Sequence, residues 1–490
     1  MFLSKEEKTL FNRNIDLSVN QYGGSCFASW VTWEYGKSEN IVVQKINEVE
    51  ELAEKEAVID CCGFHPGTVK TIQMSNGSPY LFWIGYKDGK GTLFSSFDMK
   101  TSKHLPCVAG YNTGDFSIAH QNDNIFLAVE VWYENNTTIK LFCCNGNNWF
   151  ELSFKHPSLS LMHPKLALSD DGILLLTWSE YSEKTYRIGS CIFKDKKQGD
   201  IFFFDGGGEW SALPSVACDC NGVFYLSCCV ENFCELNNGT VSFESKIATA
   251  QLSSRKNPEW NLKSNSSIDH AMNPWLAPYA GYRRFSQIVT RAGGGACVLF
   301  EEKIDNDSHL PVAGRLVVKD VDGGAESVLH EGAARYTVAS SLTLSGKLAF
   351  ACVEQKERYM RHSPPYQINF STLESTWPAR PEQQNNSACR RVSILKSITE
   401  SERSSCDGYS LFFGDLHVHS RLSGDLDGEQ DEIYRYARDI AALDFIAVTE
   451  NDYVGFIYPM PSDVWEKCKR NANFYNSPGE FTTFVGWEST

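Results

Sequence analysis

The chain has no run approaching the ~20 apolar residues of a membrane span. Its start, Met1-Phe-Leu-Ser-Lys-Glu-Glu-Lys8, lacks the apolar core of a secretory signal. No two cysteines stand at C-x-x-C spacing, so a cysteine-rich zinc module is excluded. The Trp-Asp dipeptide is absent, which removes the common WD-repeat family. Positive charge is scarce: 45 Lys and Arg stand against 61 Asp and Glu, a net charge of −16. Such a chain repels phosphate polymers, so no nucleic-acid partner and no membrane partner are expected. A small phosphorylated substrate held by metal ions remains compatible with that charge. The 17 cysteines are an odd number, partly in adjacent pairs such as Cys61-Cys62 and Cys228-Cys229. They read as reduced thiols packed as small hydrophobes in a cytoplasmic protein.

What is abundant is aromatic residues, 13% of 490, and 36 glycines. Together they suit short strands and tight turns. A turn-plus-strand unit recurs. Pro164–Trp178 contains Ser169-Asp-Asp-Gly172 followed by Ile-Leu-Leu-Leu, and Pro214–Cys228 contains Asp219-Cys-Asn-Gly222 followed by Val-Phe-Tyr-Leu. Asp-Gly and Asn-Gly are hairpin chemistry, because glycine accepts positive φ. The unit can be placed at Gly24, Gly77, Asn124, Gly172, Gly222, Gly295 and Gly346, mostly about fifty residues apart. Six residues on stand Trp30, Trp83, Glu130, Trp178, Cys228, Glu301 and Cys352. Four short strands per repeat make a propeller blade, so the expected fold is mainly β, a seven-bladed β-propeller over 1–370. Six or eight blades, or an open pair of β-sheets, are the alternatives. A polar insertion near Ser253–Ser267 is expected to be a loop. The nine scattered histidines of this part are assigned no chemistry. Pro364-Pro365, Pro378, Pro381 and Glu382–Ser387 mark a domain edge, with 371–408 as linker or peripheral strand.

From Tyr409 the texture becomes strand–helix alternation, which argues a parallel sheet or barrel. Leu411–His419 reads as a strand whose period of two places His417 and His419 on one face, where two imidazoles can share one metal. A helix is predicted over Glu429–Leu443, with Ile433, Ala437, Ile440 and Ala441 as its buried stripe. Phe445–Thr449 reads as a buried strand ending in Glu450-Asn451-Asp452. A second helix follows over Ser462–Phe474, then a strand over Phe481–Glu488. Polar residues thus gather after three strands, where parallel βα architectures place active sites.

Gly414-Asp-Leu-His-Val-His-Ser420, Asp431–Arg438, Leu443–Thr449 and Phe484-Val-Gly-Trp-Glu488 together resemble the PHP (polymerase and histidinol phosphatase) superfamily, over 409–490 only. The resemblance implies a distorted β/α barrel holding zinc, manganese or iron, two or more ions in a complete domain, and phosphoester hydrolysis by metal-bound hydroxide. By the same resemblance His417 and His419 are metal ligands, Glu488 bridges two ions, and Asp425 serves a third. Where the family has Thr-Asp-His this chain has Thr449-Glu450-Asn451, so Asn451 stands in place of a third-metal histidine. Glu450, Asn451 and Asp415 are therefore expected as ligands or as their supports, with Asn451 hydrogen-bonding Asp425 or a bound water. A divalent ion lowers the pKa of bound water toward ~7, which is the chemistry such a site needs.

Three of the family's seven strand–helix units precede Thr490, so the expectation is a fragment carrying the truncated start of an α/β PHP domain. The function expected is a metal-dependent hydrolase with a propeller that recognises a protein or small-molecule ligand on its face. The alternative is a non-catalytic propeller scaffold with a vestigial barrel.

Overall fold

The structure is a computed structural model and describes residues 10–19, 25–34, 39–47, 52–53, 57–134, 136–145, 148–158, 160–235, 241–266, 282–291, 293–303, 314–324, 326–338, 342–344, 347–355, 366–373, 390–391, 409–420, 422, 428–452 and 460–489. Six antiparallel sheets follow one another along the chain up to Leu373. Each is a meander of strands here lettered A to D. Sheet IV is typical, with Leu161–Leu168, Leu174–Ser182, Thr185–Lys194 and Lys197–Phe204 paired in that order. Its B strand is buried along nearly its whole length, as is Pro79–Lys87 of sheet II. A strand covered on both faces reads as a continuous apolar run, which is why the B strands stood out in the sequence.

Apolar cores lie between successive sheets. Trp83 and Phe94 of sheet II pack on Val31 and Ile41 of sheet I. Trp178 of sheet IV packs on Leu141 of sheet III. Phe300 packs on Tyr225 and Cys229 of sheet V. The ring closes where Ala349, Ala351, Ile368 and Phe370 meet Ile15, Leu17 and Trp30 of sheet I. Sheets stacked face to face around a ring define a β-propeller.

The propeller has six sheets rather than the expected seven. Strand Ser327–Val338 is twelve residues long. Its first half pairs with Gly314–Asp320, and its second half reaches Lys347–Gln355 through Ala333↔Glu354 and Val338↔Cys352. The last three strands therefore extend sheet VI to seven strands instead of forming a separate blade. Continuous pairing across one long strand joined what turn spacing had divided.

The glycine turns have one geometry. Gly77, Gly172 and Gly222 have φ of 82°, 80° and 75°. Their N–H groups donate to Met74, Ser169 and Asp219 carbonyls at 2.8, 2.9 and 2.9 Å. In sheet VI the equivalent residue is Gly294, which donates to Arg291 at 3.0 Å, one position before the expected Gly295. Gly24 and Gly346 lie outside the described residues. Beside Asn124 the turn is shortened to two residues, with Asn122 at φ 54°. The loop expected near Ser253–Ser267 contains strand D of sheet V, Trp260–Ser266. There Trp260 is buried and its indole donates to Ser190 Oγ at 2.9 Å, so one aromatic anchor outweighs the polar surroundings. Within 371–408, Arg390–Arg391 pairs with Phe224–Glu235 of sheet V.

The C-terminal lobe is a three-stranded parallel sheet. Its strands are Gly414–Val418, Phe445–Asp452 in the centre, and Thr482–Ser489. The predicted first helix is α1 (Gln430–Arg435), continued by a wider π-type turn over Tyr436–Ile440. Glu429 and Glu432 form a reciprocal capping box at its start, which satisfies two of the amides a helix N-terminus leaves open. The second helix is α2 (Ser462–Tyr475). Tyr434, Ala437, Ala472 and Tyr475 cover one face of the sheet at Ile446 and Val448. No helix among the described residues is long and apolar enough to cross a membrane.

Both helices dock on the propeller face that carries the B–C turns. Arg435 enters between Tyr181 and Tyr475, its guanidinium 4.2 and 5.5 Å from the two rings. It donates to Ser160 Oγ at 2.7 Å and to the Tyr475 hydroxyl at 3.1 Å. The Tyr186 and Tyr181 hydroxyls donate to Asp431 and Asp439 at 2.6 and 2.7 Å. Arg470 lies 4.0 Å over Trp132, and Asp463 pairs with Arg13 at 2.8 Å and Lys467 at 3.0 Å. Burial pushes the Asp463 carboxyl up, but Arg13, Lys467 and His65 outweigh it and hold it below the usual carboxylate range.

Candidate metal centre

The site lies at the C-terminal ends of the three parallel strands. Strand Gly414–Val418 can approach the central strand closely because Gly414 lies against the Phe445 ring, where a Cβ would come within 2.3 Å of the ring carbons. Asp415 Oδ1 accepts the His417 N–H at 3.0 Å and shapes the turn into the histidines. The two imidazoles stack, with centroids 4.9 Å apart and planes 13° from parallel. Register in the last pair sets Glu488 beside Asn451. Glu488 Oε2 consequently meets His419 Nε2 at 2.8 Å and His417 Nε2 at 3.2 Å. One ligand atom from each of the three residues falls within 4.8 Å of the others. His419 is buried whereas His417 is exposed, so the site opens on one side.

Two imidazole nitrogens and one carboxylate oxygen suit a divalent ion of the zinc, manganese or iron type. The donor set fits that group, since both Nε2 atoms lie within 3.2 Å of one carboxylate oxygen. The strand-face expectation for His417 and His419 and the convergence of Glu488 are thus seen together. Asp425 lies outside the described residues.

Glu450 is not at the ion position. Strand alternation turns it to the helix face, where its carboxylate accepts the Ser420 hydroxyl, the Ser420 N–H at 3.2 Å and Gln430 Nε2 at 2.7 Å. Gln430 Oε1 in turn accepts Asn471 Nδ2 at 2.7 Å. This buried chain ties α1 and α2 to the segment just after His419. Asn451 does face the site, and its Nδ2 contacts His419 Nδ1 at 3.1 Å; its other expected partner, Asp425, lies outside the described residues. Asp415 acts through the backbone and not as a member of the three-residue cluster. Sequence reasoning missed Ser420, Gln430 and Asn471. A signal existed for Gln430, which stands three residues before Ile433 in the register of a buried stripe where an apolar residue is expected.

No protein-family model matches the chain, and no curated protein matches it. Among solved structures, the polysaccharide lyase Uly1 is similar at 10% identity with a TM-score of 0.42, over 73% of this chain and 89% of that one. Hydrazine synthase of Kuenenia stuttgartiensis is similar at 11% identity and 0.40, over 63% and 76%. A protein of unknown function from Dyadobacter fermentans is similar at 10% and 0.39, over 61% and 93%.

Proposed function

We propose that residues 409–490 contribute the opening part of a PHP-type metal-dependent hydrolase acting on a small phosphorylated substrate, in a cytoplasmic setting that suits the free thiols. The observation that supports this reading is the meeting of His417 Nε2, His419 Nε2 and Glu488 Oε2 at the ends of parallel strands. His417, His419 and Glu488 would hold the first ion, and Asp425 is the residue expected to serve a further one. A bound divalent ion supplies Lewis acidity and an activated water there. The chain's own part is orientation: Glu450 holds the Ser420 segment against α1 through Gln430.

In this reading the propeller is a platform for the lobe. Tyr86, Trp132, Tyr181 and Tyr186 are covered by α1 and α2, so the expected ligand on that propeller face is the chain itself. Zinc titration of the full chain tests the centre. About one ion should bind, and His417→Ala with His419→Ala should abolish it. Equal zinc uptake by that double variant would overturn the assignment. Because these residues supply only the opening part of the domain, the substrate class is tested by binding: the zinc-loaded chain should bind an aryl phosphate without turning it over, and equal binding by the double variant would overturn it.

A further inference from the structure

We infer that Gln430 is a positioning residue of the metal centre and that it takes its own position from the propeller, so that docking of α2 steadies the segment that follows His419. In what it says of zinc, the inference rests on the metal reading above. Two neighbouring stripes of α2 carry it. Asp463, Lys467, Arg470 and Phe474 succeed one another at helical spacing and face the propeller. Asp463 meets Arg13 at 2.8 Å, and Lys467 lies 5.2 Å over Tyr86. Arg470 lies 4.0 Å over Trp132 and donates to the Thr113 carbonyl at 3.5 Å, while the Phe474 ring stands 4.5 Å from that of Trp132. The adjoining stripe, Val464, Cys468, Asn471 and Tyr475, is buried in the lobe. There Asn471 Nδ2 donates to Gln430 Oε1 at 2.7 Å, and Cys468 Sγ accepts from Gln430 Nε2 at 3.0 Å. The same helical turn thus bears on Trp132 with Arg470 and on Gln430 with Asn471.

Gln430 passes this constraint to the site. The Glu450 carboxylate can only accept, so Gln430 turns its NH2 to Glu450, at 2.7 Å, and leaves its oxygen for Asn471. Glu450 also accepts the Ser420 hydroxyl and the Ser420 N–H, the latter at 3.2 Å. Ser420 directly follows His419 in the chain, and Glu450 directly precedes Asn451. Gln430, Glu450, Ser420 and Asn471 are all buried, so a broken link leaves a polar group with no water to replace its partner. A continuous buried chain therefore runs from Trp132 in sheet III through Arg470 and Asn471 to Gln430, Glu450 and Ser420. An ion needs the arrangement in which His417, His419 and Glu488 meet. The fraction of molecules with the Ser420 segment closed against Glu450 consequently scales the apparent affinity.

The test is residue-resolved hydrogen exchange of the metal-free full chain, read at the Ser420 amide, alongside zinc titration by calorimetry. Arg470→Ala removes the cation over Trp132, an effect of about tenfold. It should speed the α2 amides and the Ser420 amide by about that factor. Gln430→Met should speed the Ser420 amide and weaken zinc binding, each about 10- to 100-fold, the usual cost of losing a support behind a ligand. With Gln430→Met in place, Arg470→Ala should still speed α2 but move Ser420 by less than about twofold, because the link between them is gone. Asn471→Ala makes a smaller cut in the same chain, and should release Ser420 as well if Gln430→Met costs the fold of α1. General loosening of the lobe would instead move α2 and Ser420 together in both backgrounds. Ser420 exchange that stays at the wild-type rate while Arg470→Ala quickens α2, or that responds equally with and without Gln430, would overturn the inference. A wild type that binds no zinc would overturn the metal reading alone, since the Ser420 amide is read without metal.

Discussion

Arg435→Ala should loosen the C-terminal lobe from the propeller while leaving the sheets intact. The side chain is buried, and the loss can be worked from its contacts. Hydrogen bonds from a charged donor contribute about 1.5–3 kcal/mol each, and Arg435 makes two to oxygen, at Ser160 and Tyr475, besides a weaker one to the Met162 sulfur at 3.5 Å. A desolvated guanidinium over an aromatic face adds about 2 kcal/mol, here over Tyr181. Against this stands the desolvation that burying the cation costs, several kcal/mol. The balance is a net loss of about 3 kcal/mol for the truncation. At 1.4 kcal/mol per tenfold, amides of α1 and α2 protected by docking should exchange about 100-fold faster. Hydrogen exchange read by mass spectrometry measures this, with sheet VI, which none of these contacts reaches, as the internal standard. Arg435→Met restores volume without charge and removes the desolvation cost, so it should lie closer to wild type, within about tenfold. Exchange of α1 within threefold of wild type in Arg435→Ala would refute the docking argument.

Glu450→Gln should cost about 1–3 kcal/mol, because with the new amide oxygen kept for the Ser420 hydroxyl and Gln430 its NH2 end meets the Ser420 N–H, donor against donor, yet zinc stoichiometry should stay the same. A lost ion in that variant would return Glu450 to the ligand set. Gly172→Ala should destabilise by about 1–2 kcal/mol for purely conformational reasons, since φ is 80° and a Cβ would meet nothing within 4 Å. A thermal melt with no shift would contradict that. The Asp463 carboxyl is held below its ordinary range by Arg13, Lys467 and His65. Its contribution is therefore present above the unfolded value of about 4 and lost as pH falls through the lower folded value. Asp463→Asn should flatten the acid limb of α2 protection between pH 5 and 2, on the order of the usual carboxylate range, and an unchanged limb would exclude Asp463 as its source.

The signals legible in the sequence were local. Turn glycines at Gly77, Gly172 and Gly222 need positive φ, and only a few residues on either side decide that. B strands buried along nearly their whole length, such as Pro79–Lys87, betray themselves as apolar runs. The alternation in Gly414–Val418 and the strand–helix texture beyond it bring His417, His419 and Glu488 to one end of a parallel sheet without any knowledge of the propeller. Tertiary structure decided what depends on pairing and closure. The blade count turned on one strand, Ser327–Val338, hydrogen-bonding to partners on both sides. The direction of Glu450 followed from its place in the central strand, one residue from Asn451, and a shift of one position exchanges the faces. Nothing near Arg435 and Arg470 in the chain announces Tyr181 or Trp132. Those rings come from sheets hundreds of residues earlier, and only the closed ring presents them to α1 and α2.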